Sequence, residues 1–349
     1  MTAAGPDGPD LARYSRQMAF APLGRAGQRR LAEGRVTLVG CGALGTVAAG
    51  VLVRAGVGHV RLIDRDFVEL VNLQRQTLFD EQDAALGLPK AEAAARRLRR
   101  VNSTVTVEPL IADVHAGNVA HLCRDTHVIV DATDNFETRY LLNDLAVRQE
   151  LPWVYGACLG SEGRVLAVRP GVTPCLRCLF EEAPPPGTSP TCESAGVLGP
   201  AVGVVANLQA MAALKLLTGH EDAVAAELLT IDVWSNRWHA VDVRAARRAD
   251  CPCCGLRRFE FLEGTRVAPT TVMCGREAVQ VSPSVAAKLD LSAVAARLGL
   301  EAAPALNRFL LRFRAGECTI TLFPDGRAIV QGTSDAATAR ALYARYVVN

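Results

Sequence analysis

The run RVTLVGCGALGTVAAGVLVRAG, from Arg35 to Gly56, constrains the fold more than any other stretch, because a β-branched segment passes through a glycine turn into an apolar helical pattern. Gly40, Gly42 and Gly45 have GxGxxG spacing. Such glycines permit a tight turn and bring an anion close to a helix N-terminus, where free N–H groups and the helix dipole favour negative charge. HVRLID at His59, VTVEPL at Val105, HVIVDA at His127 and PWVYGA at Pro152 read as further strands, with PKAEAAARRLRRVN and FETRYLLNDLAVRQ as helices. Repeated βαβ units predict an α/β fold, a Rossmann-like doubly wound and mostly parallel sheet with helices on both faces.

After Gly160 the rhythm changes. GRVLAVRP reads as a strand leading to CLRC, and EEAPPPGTSPTCESAG, residues 181–196, is too rich in Pro and small polar residues for regular structure, which marks a functional or disordered loop. An apolar helix from Val197, added antiparallel strands AELLTIDV and RWHAVDV, and CPCCG at Cys251 complete the first domain. The sequence thus divides into a disordered lead-in at residues 1–10, a nucleotide-binding domain at 11–264 and a small C-terminal α+β module at 270–349. For that module the patterns predict β-α-β-β-α, with PDGR at Pro324 as a hairpin signal.

Composition narrows the partners. Lys plus Arg number 38 against 36 Asp plus Glu, a net charge of +2, so nothing indicates nucleic acid or membrane as the dominant partner. The N-terminus lacks the basic start and apolar run of a secretion signal, and the expectation is a cytoplasmic protein. The apolar stretch from Val197 to Gly219 is interrupted by Asn207, Gln209 and Lys215, as suits a core helix better than a membrane span. Eleven Cys in a domain of this kind point to metal binding or thiol chemistry ahead of disulfides.

The chemistry-bearing residues cluster after the strands. Asp64 ends the second strand, where a carboxylate can accept hydrogen bonds from ribose hydroxyls of either NAD or ATP. The next two segments separate the ligands: Arg75 stands among Asn72, Gln74 and Gln76 in VNLQRQ, and Lys90 opens a helix after GLP. Cations arriving from two segments suit a polyphosphate better than a dinucleotide, although a lone Arg is usually a solvated surface residue. In DATDN, Asp134 lies where ligands of open α/β sheets bind and could hold Mg²⁺ against phosphate; the alternative is a helix N-cap, and either Asp134 or Asn135 could cap while Asp134 also binds metal. Cys175 with Cys178 and Cys251 with Cys254 form CxxC pairs that can close a structural zinc site, with redox or unpaired thiols as the alternative and Cys253 as a bystander. Cys192 stands alone in the Pro-rich loop; it is either idle or a nucleophile able to form a thioester, persulfide or mixed disulfide.

Taken in order, RYSRQ at Arg13, GCGALG, LIDRDFVELVNLQRQTLF, GLPK, DATDN, CLRC, TCESAGVLGPAVGVVANLQAMAALKLL and CPCCG resemble the ThiF/MoeB adenylyltransferases, relatives of the ubiquitin-activating enzymes, over roughly the first three quarters of the chain. The resemblance implies ATP-dependent adenylation of the C-terminal Gly-Gly carboxylate of a ubiquitin-like sulfur carrier, with release of pyrophosphate, in molybdopterin, thiamine or thiolated-tRNA synthesis. It implies roles for individual residues as well. Gly40, Gly42, Ala43 and Gly45 would cradle the nucleotide, Asp64 would bind its ribose with the neighbouring Asp66 also in the nucleotide site, and Arg75 and Lys90 would bind phosphates. Asn72 would position a phosphate or the reacting carboxylate, Asp134 beside Asn135 would hold Mg²⁺, and Cys175, Cys178, Cys251 and Cys254 would bind Zn²⁺. Arg16 would reach the triphosphate in a neighbouring subunit, which implies a homodimer. Cys192 falls in the crossover loop over the carrier tail, and a cysteine desulfurase or rhodanese would be the sulfur donor.

Ala43 departs from the Gly that relatives often carry, which implies a local adjustment only. The C-terminal module is too short for a rhodanese domain, and Cys274 lacks a persulfide loop; the expectation is a carrier-docking or dimer-supporting module. Three other readings stand beside this one: a tRNA-modifying cyclase/dehydratase of the same superfamily, an NAD-binding oxidoreductase lacking a hydride-transfer constellation, and a silent binding subunit, against which Arg16, Arg75, Lys90 and Asp134 argue together.

Overall fold

The computed structural model describes residues 11–184, 190–191, 194–264, 271–272, 278–281, 289–299, 306 and 308–348. The expected lead-in at residues 1–10, Cys192 and Cys274 lie outside them. The chain divides into two compact units, Met1–Ser189 with Ala195–Arg266, and Pro190–Ser194 with Val267–Asn349.

In the first unit, an eight-stranded sheet has the order β3-β2-β1-β4-β5-β6-β7-β8. Its parallel part consists of β1 (Arg35–Val39), β2 (His59–Asp64), β3 (Thr106–Ile111), β4 (Val128–Asp131) and β5 (Trp153–Leu159). Antiparallel strands β6 (Glu162–Val168), β7 (Glu227–Asp232) and β8 (Arg237–Asp242) extend one edge. Helices α1 (Ser15–Met18) and α2 (Gly24–Glu33), which sequence patterning had not marked, precede the sheet. The longer helices that follow are α3 (Ala43–Ala55), α4 (Lys90–Val101), α5 (Phe136–Gln149) and α6 (Gly199–Leu217).

Alternation along the strands makes two cores. Val128 and Val130 of β4 face one cluster with Leu52 of α3, Leu98 of α4 and Val205 of α6, while Ile129 faces the other with Tyr140 and Leu142 of α5. The apolar α6 has the length and composition of a membrane span, yet Val202, Val205, Ala206 and Ala210 are buried in the core. Its Gln209 is fully buried because Nε2 donates to Asp131 O at 2.6 Å and Val154 O at 3.3 Å. A polar residue in an apolar helix therefore ties that helix to the carboxyl end of β4 and the amino end of β5.

The second unit is a five-stranded antiparallel sheet, β11-β12-β13-β10-β9, containing β9 (Thr271–Val272), β10 (Ala278–Val281), β11 (Leu311–Ala315), β12 (Cys318–Leu322) and β13 (Ala328–Gln331). Helices α7 (Leu291–Arg297) and α8 (Ala336–Tyr343) supply Leu291, Val294 and Ala339 to a core with Val279, Phe313, Ile320 and Val330. The order is ββαβββα, not β-α-β-β-α. The first stretch supplies two antiparallel strands, β9 and β10, where one was expected, and the hairpin expected at PDGR joins β12 to β13 at the turn where Gly326 has φ +85°.

Candidate nucleotide site

Three turns converge at the carboxyl ends of β1, β2 and β4. Gly40 has φ +91°, and a Cβ there would meet Ala132 O at 2.6 Å; one on Gly45 would fall 2.0 Å from Gly40 O. Both glycines are thus required for the turn to lie against its own helix and against β4. Asp64 Oδ2 accepts the Cys41 N–H at 2.6 Å and Oδ1 accepts the Asp66 N–H at 2.7 Å, so this carboxylate joins β2 to the glycine turn. Burial pushes its pKa up, opposed by the Lys90 charge. Each carboxylate oxygen keeps a second lone-pair direction for a further hydrogen-bond donor. The Cys41 thiol between them is fully buried, and burial raises its pKa, which keeps it a thiol.

The cationic side of the turn is equally built. Lys90 is 4% exposed, with Nζ 3.1 Å from Asp66 Oδ2 and its N–H donating to Asp66 O at 2.9 Å, so Asp66 sets the direction of the first turn of α4. Asn72 is buried, and Oδ1 accepts the Glu69 N–H at 3.0 Å, stiffening the short turn Leu70–Asn72. Arg75, half-buried, donates from Nη1 to Val71 O at 2.9 Å. Gln76 is 4% exposed, its Nε2 lies 3.8 Å from where a Gly42 Cβ would stand, and its buried Oε1 has no hydrogen-bond partner among the described residues.

After β4, Asn135 is the helix cap: its Oδ1 accepts the Thr138 N–H at 2.8 Å. Of the two residues that could cap this helix, Asn135 is the one that does, and the exposed Asp134 carboxylate is not used as the cap. Arg65 and Asp113 were missed from sequence. Arg65 Nη1 donates to Asp113 Oδ1 at 2.8 Å because the parallel register sets Asp64 beside Ile111. Burial opposes the Arg65 charge, but Asp113, then Asp66 and Asp134, raise its pKa overall. No spacing rule joins residues 65 and 113, so only strand adjacency could have revealed the pair.

Arg16 is on the exposed face of α1 and has no hydrogen bond or ion pair among the described residues, which do not place it with the other cations. The CxxC pairs do meet: Sγ separations are 3.6 Å for Cys175–Cys251, 3.3 Å for Cys178–Cys254 and 4.0 Å for Cys175–Cys178, and all four sulfurs lie within 4.8 Å of one another. A tetrahedral ion with Zn–S bonds of about 2.3 Å sets sulfurs about 3.8 Å apart, so the donor set fits Zn²⁺. Cys253 stands aside, its Sγ accepting from Asn143 Nδ2 at 3.3 Å.

A glycine turn after β1, acids at the ends of the two strands that flank it and a buried Lys at a helix N-terminus are the parts of a nucleotide-binding α/β protein. The ThiF family model matches residues 14–253, and the chain belongs to that family. It is an adenylyltransferase. The chain is 46% identical over 338 residues to the sulfur carrier protein ThiS adenylyltransferase of Bacillus subtilis, covering 96% of this chain and 99% of that one. It is 43% identical to the SAMP-activating enzyme E1 of Haloferax volcanii, over 74% of this chain and 93% of the relative. Among solved structures, that of E. coli MccB with ATP shares the fold at TM-score 0.59 and 23% identity, covering 70% of this chain and 74% of that one.

Proposed function

We propose that this protein adenylates the C-terminal Gly-Gly carboxylate of a ubiquitin-like sulfur carrier of the ThiS type. The carboxylate attacks the α-phosphorus of ATP, the bond to the bridging oxygen of pyrophosphate breaks, and an acyl-adenylate forms without a protein nucleophile. The observation that carries this reading is the convergence of the glycine turn, Asp64, Lys90 and the uncapped Asp134 at the ends of neighbouring strands. Alignment and charge neutralisation then supply the rate.

In this mechanism the N-terminus of α3 and the glycine turn hold phosphate oxygens, and Asp64 orients the ribose. Lys90 and Arg75 stabilise the charge that develops on pyrophosphate, and Asn72 aims the incoming carboxylate. Asp134 would hold Mg²⁺, which supplies further neutralisation of phosphate charge. Arg16 would complete the site of a second copy in a homodimer. Cys175, Cys178, Cys251 and Cys254 would hold a structural Zn²⁺ that leaves no open coordination position for catalysis. The B. subtilis relative is matched over 96% of the chain and the H. volcanii relative over 74%, which favours a ThiS carrier and a role for the C-terminal module in carrier docking or dimer support.

Carrier-dependent exchange of pyrophosphate into ATP tests the reading. Exchange with the B. subtilis ThiS carrier, lowered about 100-fold or more by Asp134→Ala, is expected. ATP binding with no exchange on any Gly-Gly carrier would overturn it and bring forward a tRNA carboxylate as the acceptor.

A further inference from the structure

The RYSRQ segment divides its side chains between two tasks. Tyr14 is 7% exposed, and its hydroxyl accepts from Asn102 Nδ2 at 2.8 Å; the same Nδ2 donates to Val53 O at 2.9 Å. Gln17 Nε2 donates to Gln28 Oε1 at 2.6 Å and to Ala55 O at 2.9 Å, while Gln28 Nε2 donates to Ala55 O at 3.0 Å. Gly56 closes the arrangement with φ +83°, and a Cβ there would lie 2.6 Å from the Tyr14 hydroxyl and 2.8 Å from Gln28 Nε2. The orphan carbonyls at the end of α3 are thus satisfied by side chains of the N-terminal segment. Arg13 and Arg16 remain exposed.

This latch sits at the wrong end of the helices for Arg16 to serve its own nucleotide site. Gly56 is the C-cap of α3 and Asn102 the C-cap of α4, whereas the glycine turn and Lys90 are at their N-termini. At 1.5 Å per residue the α3 axis is about 20 Å long. Arg16 is two residues from Tyr14, and two extended residues span about 7 Å.

We infer that Tyr14, Gln17, Gln28 and Asn102, seated on Gly56, are positioning residues that hold Arg16 away from its own chain's site and present it to the site of a second copy. The inference rests on the homodimer reading above. It adds that the latch, by fastening to the far ends of the two helices whose N-termini hold phosphate, fixes the arginine of one site to the framework of the other.

Mixed dimers of two differently tagged full-length chains separate the outcomes, with pyrophosphate exchange on the B. subtilis ThiS carrier as the readout. In the first arrangement one chain carries Tyr14→Ala and the other Asp134→Ala; in the second, one chain carries both and the other is wild type. If the latch acts in trans, the first keeps one intact site, hence about half the wild-type rate. The second falls at least about tenfold below it, because its one intact Asp134 faces an unlatched arginine. The opposite ranking, or equal rates, would overturn the latch, and Gln17→Ala, which cuts only two hydrogen bonds at a half-buried side chain, must repeat the pattern if Tyr14→Ala weakens the fold. Arg16→Ala in place of Tyr14→Ala tests the reading beneath: a trans pattern for Arg16 alone sinks the latch only, and a cis pattern for Arg16, or failure to isolate a mixed dimer, sinks both.

Discussion

Two aspartates three residues apart, one ending β4 and one just after it, have opposite environments. Asp131 is fully buried; Oδ1 accepts from the Thr133 N–H at 2.9 Å and its hydroxyl at 2.7 Å, while Oδ2 is buried without a hydrogen-bond partner among the described residues. Burial raises its pKa to about 6 from 3.8, opposed by the Arg139 charge. The folded chain therefore binds this proton more tightly than the unfolded one, so the contribution of Asp131 to stability is most favourable at low pH and falls as pH rises from about 4 through about 6. Ionised Asp131 costs on the order of 3 kcal/mol at neutral pH. Asp131→Asn keeps the shape without the charge and is expected to raise stability above pH 7 and flatten that slope. Urea melts at several pH values check this, and an unchanged slope would place the ionisation elsewhere. The sequence showed DATDN as one motif, but the difference between its acids is a matter of depth below the strand end.

Elements carry the site because helix ends are placed by strands. With a Cβ on Gly45 only 2.0 Å from Gly40 O, Gly45→Ala must lift α3 off β1. A cost of about 1–3 kcal/mol is expected, with weaker Mg·ATP binding because the helix N-terminus moves. Thermal melting and nucleotide titration measure both, and wild-type values would contradict the close approach. The cap after β4 gives a second separation: Asn135→Ala should cost about 1 kcal/mol of stability. Asp134→Ala should leave melting nearly unchanged and remove exchange; a joint loss of stability would return Asp134 to a capping role. Every strand of the first unit was legible from β-branched runs. α1 and α2 were not, because α1 is a single turn and α2 shows no apolar run comparable to those of the later helices.

At the scale of the molecule, the first unit is pinned by thiols far apart in sequence. Cys175 and Cys178 come after β6, Cys251 and Cys254 after β8, and Cys251 joins the core that also contains Tyr140, Trp153 and Phe261. A Zn²⁺ held by these four thiols would be open to a chelator, and its removal, or Cys251→Ser, is expected to lower the melting temperature and loosen that face of the sheet. The glycine turn abuts the opposite core, which contains Cys41 and Leu44. Metal analysis with melting, and Mg·ATP titration of the metal-free chain, would show it: loss of metal without loss of stability would leave the cluster without a structural role. The sequence alone determined the βαβ order, the glycine turn, the family motifs and the thiol pairs, because these depend on local spacing and periodicity. Tertiary structure decided that Asn135 is the cap, that Arg65 meets Asp113, that the two thiol pairs form one cluster and that Tyr14 grips the far ends of α3 and α4. Apart from the cap, each of those joins residues distant along the chain, and only sheet register and helix packing bring such groups within reach of one another.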